Sequence, residues 1–161
     1  MARVFVSIGS NIDRAHNVRA CLAALERRYG SLTRSQIYEC PAVGFAGEDF
    51  YNLVVGFESG DSVQQVAEDL RQIEVDQGRE RVQERFAPRT LDVDLLLYDD
   101  LISQSDGLKL PRDEITRYAF VLGPLAEIAG EMRHPVSGER YADLWARFDR
   151  SATPLRPVTL A

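Results

Sequence analysis

Two segments of this chain carry apolar residues at helical spacing, and each is bracketed by segments with strand composition; this ordering restricts the fold more than any other feature. "RVFVSIG" (3 to 9) is rich in β-branched and aromatic residues and runs into the polar turn "SN", as a buried strand does. Val18, Cys21, Leu22 and Leu25 then recur at i, i+3, i+4 and i+7. That stripe predicts a helix capped by Asp13 and running to about Tyr29, where Gly30 supplies a left-handed stop. "LTRSQIYEC" and "FYNLVVGFE" (50 to 58) read as the second and third strands, on either side of the Pro/Gly-rich loop "PAVGFAGED". Ser62 opens a second helix, with Val66, Leu70 and Ile73 on one face and an end near Gly78, and "TLDVDLLLY" is the fourth strand. The order β-α-β-β-α-β predicts an α+β fold with a ferredoxin-like core, in which helices pack on an antiparallel sheet. Beyond residue 99 the pattern predicts a turn-rich hairpin, then short helices around "FVLGPLAEIA" and "YADLWARF".

No repeat, low-complexity tract or linker interrupts the pattern, so one domain is expected over residues 1–161. A hydrophobic fraction of 45% suits a chain with a sizeable core. The formal charge of −6 argues against broad binding of a phosphate backbone, and hence against a nucleic-acid partner. No segment reaches the length of a membrane span and the N-terminal apolar run is too short for a signal peptide, so a cytoplasmic setting is expected. Cys21 and Cys40 lack metal-site spacing and read as packed thiols; His16 and His134 read as surface or packing residues.

Against that acidic background, "RERVQERFAPRTLDVDLLLY" (79 to 98) concentrates arginines at 79, 81, 85 and 89 in one loop. Pro88 keeps Ala87 out of the helical region, leaving a loop able to fold over a ligand. On the strand that follows, Asp92 and Asp94 project from one face, about 6 to 7 Å apart, with Val93 opposite. Paired carboxylates suit a hard cation such as Mg²⁺, and arginine forks suit phosphate oxygens. Together they are the inventory of Mg²⁺-dependent phosphoryl transfer. There is no Walker A or GxGxxG pattern, so a nucleotide would need another architecture.

"SIGSN", "NLVV", "IEVDQGRER", "RFAPRTLDVDLLLY" and "LKLP…FVLGPLAEIA" together closely resemble the 6-hydroxymethyl-7,8-dihydropterin pyrophosphokinase family, colinearly from residue 3 to about 145. The resemblance implies a three-layer α/β/α ferredoxin-like fold, ATP as co-substrate, two Mg²⁺ ions, and transfer of pyrophosphate from ATP to the pterin hydroxymethyl group with release of AMP. It implies that Asp92 and Asp94 are the metal ligands and that Arg79 and Arg89 are catalytic. Glu74, Arg81, Arg85 and Arg112 would serve the nucleotide. Gly9, Cys40, Val43, Phe50, Asn52 and Phe120 would hold the pterin, which fits a planar heterocycle's need for aromatic faces and an amide edge. A monomer acting on small molecules is expected. The chain departs from the family pattern in "PRDEITRYAF": Arg112 stands where a histidine is usual, Tyr118 where an arginine falls, and Phe86 replaces a common tryptophan. Asp113, next to Arg112, is expected to draw its guanidinium into an ion pair. A divergent enzyme acting on another pterin-like acceptor, and a non-catalytic nucleotide- or pterin-binding protein, are the readings left open.

Overall fold

A computed structural model of the chain describes residues 1–41, 49–79, 91–105, 107–151 and 153–160, side chains at 78 and 79 excepted. The elements in chain order are β1 (Ala2–Ser10), α1 (Arg14–Tyr29), β2 (Thr33–Arg34), β3 (Ile37–Cys40), β4 (Phe50–Ser59), α2 (Val63–Arg79) and β5 (Asp92–Tyr98). A hairpin of β6 (Ser103–Ser105) and β7 (Leu108–Leu110) follows, then α3 (Glu114–Arg117), α4 (Ala119–Ala129), α5 (Tyr141–Ala146) and β8 (Arg156–Val158). The main sheet has the order β5-β1-β4-β3-β8, with β2 also paired to β4, and all its pairings are antiparallel. The βαββαβ core and its strand order are those of the ferredoxin-like fold the sequence predicts. Among the described residues no helix is long and apolar enough to cross a membrane.

Strand alternation sorts the apolar residues into two cores. Val4, Val6 and Ile8 of β1, Leu53 and Val55 of β4, and Val93 and Leu95 of β5 face α1 and α2, whose Val18, Cys21, Leu25, Val66 and Leu70 complete the first core. Phe5, Val54, Leu96 and Leu97 face the other way and pack with Leu122 and Leu125 of α4 and Tyr141 of α5. The result is helix, sheet, helix. Phe5 lies over Gly56 of β4, where a Cβ would sit 2.7 Å from the ring.

Leu95 and Leu97 are two residues apart yet enter different cores, because the β1–β5 register shifts between Phe5 and Val6. Phe5 pairs with Leu97 and Val6 with Leu95, leaving Leu96 as the extra residue of a bulge. β5 is an edge strand of the sheet, and the Glu74 carboxylate of α2 accepts a 2.7 Å hydrogen bond from the Val93 N–H. This satisfies a donor that the sheet leaves open.

Local chemistry differs from expectation in three places. Asp13 adopts a left-handed conformation (φ 40°) and its side chain makes no cap hydrogen bond; Asn17 Nδ2 and Ser10 Oγ instead donate to Ile12 O. Ser62 does cap α2, with Gln65 N–H donating to its Oγ at 3.1 Å. The second strand is divided into β2 and β3 because Ser35, between them, takes over the pairing: its N–H donates to Val54 O and its Oγ accepts from Val54 N–H. The sequence pattern also misses α3 and β8, four and three residues long.

Phe5→Ala should destabilise the fold by about 3–5 kcal/mol through loss of a fully buried ring, read as a shift in urea unfolding. Glu74→Ala should cost about 1–3 kcal/mol by orphaning the Val93 N–H. Glu74→Gln, which keeps an acceptor, should recover part of that loss in the same assay.

Candidate active site

The second face of the sheet is covered by α4 and α5 only as far as Phe5, Val54 and Leu96. Beyond them a cavity of about 240 Å³ opens over the ends of β1, β4 and β5. Its floor follows from register. Gly9 pairs with Asn52 on one side and Asp92 on the other, and Ser7 pairs with Asp94, so these side chains share one face. Phe50 and Pro41 extend the lining, and Glu114, Tyr118, Phe120 and Val121 form the opposing wall.

Gly9 is required by close approach. A Cβ there would lie 2.7 Å from Asn52 Oδ1, so any side chain would push the amide aside. Asn52 is buried, and its Nδ2 donates to Cys40 Sγ at 2.8 Å. Burial pushes the Cys40 thiol up to about 11, so it stays protonated and acts as a packed partner for Asn52 rather than a nucleophile. Arg14 fixes both margins of the segment between β3 and β4. It bonds Glu39 at 2.7 Å and the Asp49 carbonyl at 2.8 Å, and lies over the Tyr51 ring.

Phe50 and Phe120 line the same cavity, and Phe120 is stacked on Tyr118 with ring centroids 5.0 Å apart and planes 17° apart. Tyr118, itself part of the wall, covers one face of that ring. It was not among the expected site residues, nor were Ser7, Pro41, Glu114 and Val121. Tyr118 is the extended residue between α3 and α4, and its ring meets that of Phe120 in the first turn of α4.

Asp92 and Asp94 line the cavity wall, while Val93 between them is buried in the first core. Glu74, by binding the Val93 N–H, fixes the backbone that carries the pair. Asp94 also lines a second, polar cavity of about 180 Å³, with Arg71, Glu74, Lys109 and Arg112. The two cavities therefore meet at Asp94. Among the described residues no group of three or more His, Cys, Asp or Glu could hold a metal by itself. Two carboxylates on one face of this cavity nevertheless suit Mg²⁺, which takes one or two from protein and completes its shell with phosphate and water.

Arg112 is not paired with Asp113. Its Nε donates to Glu114 and its Nη2 lies 3.5 Å from Asp94, while Asp113 is held by Lys109 at 2.9 Å. The i,i+4 reach from Lys109 to Asp113 accounts for the exchange. Lys109 holds the Asp113 carboxyl below its usual range. Of the remaining expected residues, Arg79 closes α2 with its side chain outside the described residues, and Val43, Arg81, Arg85 and Arg89 lie outside them altogether, as does Phe86.

The family model of 7,8-dihydro-6-hydroxymethylpterin-pyrophosphokinase matches residues 5–130. The 2-amino-4-hydroxy-6-hydroxymethyldihydropteridine pyrophosphokinase of Pseudomonas aeruginosa is 34% identical over 137 residues, which cover 83% of this chain and 84% of that protein. The Haemophilus influenzae protein of the same name is 32% identical over 141 residues, 85% and 88% of the two chains. The folic acid synthesis protein fol1 of Pneumocystis carinii is 30% identical over 96% of this chain, which spans only 21% of that protein. Among solved structures, a Plasmodium falciparum HPPK-DHPS triple mutant with STZ-DHP has a TM-score of 0.74 at 12% identity, covering 91% of this chain and 43% of that one. That structural likeness speaks to fold. Family model, bacterial relatives and architecture agree, and the chain belongs to the 7,8-dihydro-6-hydroxymethylpterin-pyrophosphokinase family.

Proposed function

We propose that this chain transfers the β,γ-pyrophosphoryl group of ATP to the hydroxymethyl group of 6-hydroxymethyl-7,8-dihydropterin, releasing AMP, in folate biosynthesis. The observation that carries the reading is one cavity lined by a carboxylate pair on one side and by Phe50, Asn52 and Phe120 on the other. Asn52 offers an acceptor over Gly9 to the polar edge of a heterocycle, and the two phenylalanines offer faces to its rings. The second cavity, with Arg71, Lys109 and Arg112, supports entry of the triphosphate from the far side of Asp94.

In this reading the hydroxymethyl oxygen attacks the β-phosphorus, the α–β bridge breaks, and AMP leaves. Asp92 and Asp94 would hold Mg²⁺, two ions in the family's chemistry, which would neutralise phosphate charge. Arg79 and Arg89 clamp the transferring group, and Arg81 and Arg85 serve the nucleotide. Glu74 acts one step back, through the backbone between the aspartates. Cys40 and Val43 border the pterin, Cys40 through its contact with Asn52.

Release of AMP from MgATP, with and without 6-hydroxymethyl-7,8-dihydropterin, tests the proposal; acceptor-dependent AMP supports it, and binding of both compounds without AMP would favour a non-catalytic protein. Asp92→Asn and Asp94→Asn should each lower kcat by about 10³-fold or more, yet leave metal-free stability within about 1 kcal/mol of wild type. Arg79→Ala and Arg89→Ala should lower kcat far more than they raise KM. Gly9→Ala should raise the KM for the pterin about tenfold or more, with the KM for ATP little changed, because only the Asn52 amide is displaced.

A further inference from the structure

Arg112 lies where the two cavities meet, and its guanidinium contacts two acids there. Glu114 lines the first cavity, Arg112 the second, and Asp94 both. Nη2 lies 3.5 Å from Asp94 Oδ1, and Nε donates to Glu114 Oε2, the closer contact. The neighbouring cation that could compete is engaged elsewhere, since Lys109 is bound to Asp113. An arginine keeps its charge at any accessible pH and presents donors in a fixed fork, so one side chain can serve two carboxylates. A carboxylate already neutralised by a guanidinium is a poorer ligand for a second cation, which must displace that charge or bear its repulsion.

We propose that Arg112 is a resident counter-ion of Asp94 and helps set how readily the Asp92/Asp94 pair takes up a divalent cation, with Glu114 as the acid that retains the guanidinium when it leaves Asp94. Arg112 and Glu114 are thus positioning residues for the cation. The inference rests on the reading of Asp92 and Asp94 as metal ligands. Glu114 weakens the hold of Arg112 on Asp94, so removing Arg112 and removing Glu114 act in opposite directions on metal uptake. A purely structural role for the two residues predicts no such opposition.

The test is a titration of Mn²⁺ alone, followed by electron paramagnetic resonance, into nucleotide-free wild type and the Arg112→Gln, Glu114→Gln, doubly substituted and Asp94→Asn variants. Arg112 and Glu114 are half-exposed, and near-ultraviolet circular dichroism checks that each variant is folded. Arg112→Gln should bind Mn²⁺ about two- to fivefold more tightly and Glu114→Gln about twofold or more weakly, the scale of a partly exposed charge pair. In the Arg112→Gln background, Glu114→Gln should change affinity by less than about twofold. Affinity unchanged or weaker in Arg112→Gln, or a Glu114→Gln effect of equal size in both backgrounds, overturns the inference alone, provided that Asp94→Asn abolishes binding. Mn²⁺ binding indifferent to Asp94→Asn overturns the metal-ligand reading and the inference with it.

Discussion

The register that sets Gly9 of β1 between Asn52 of β4 and Asp92 of β5 is the constraint on which the site depends. In an antiparallel sheet a slip of one residue sends a side chain to the opposite face. Continued without a break from the Phe5–Leu97 pair, the β1–β5 register would set Asp94 against Ile8, in the dry core beneath α1 and α2. The bulge at Leu96 prevents this. It returns Val93 and Leu95 to the first core, turns Leu96 and Leu97 toward α4, and brings both aspartates to the open face. The leucines on either side of the bulge hold it in place, because each fills a different core.

The cavity exists because the second helical layer stops short. α4 covers the middle of the sheet with Val121, Leu122 and Leu125, and at its first turn it presents Phe120, stacked on Tyr118, to the uncovered strand ends. Polar strand residues at 7, 52, 92 and 94 would be costly under a continuous apolar layer; at its margin they line a pocket. Folding and function thus divide the strands lengthwise. The apolar stretches of β1, β4 and β5 bind helices, and the ends toward Gly9 and Asn52 line the candidate site.

Charge around Asp94 is distributed by reach. Lys109 of β7 takes Asp113 across the turn that leads from that strand to α3, which leaves Arg112 to Glu114 and Asp94. The departure of "PRDEITRYAF" from its family's pattern therefore does not remove positive charge from the site. It supplies a permanent cation beside Asp94, bound also to Glu114, and exchanges a charge at position 118 for an aromatic ring stacked on Phe120.

The sequence by itself determined the element order, the two apolar helix faces, the α+β class and the co-facial aspartates. These depend on periodicity, which is a local property of the chain. Its motif also identified the family, and with it Gly9, Asn52, Phe50 and Phe120 as candidates. The sequence could not reveal the bulge, because the run "LLL" reads alike with or without an extra residue in the ladder. Nor could it show the division of the second strand at Ser35, which depends on hydrogen bonds to Val54 on another strand. Short elements such as α3 and β8 lack enough residues for a period to register. Arg112 does not pair with its neighbour Asp113, because adjacency in sequence is not proximity of side-chain tips. Only the tertiary structure decided which acid each cation meets, since that depends on where α3 and the β6–β7 hairpin meet the edge of the sheet.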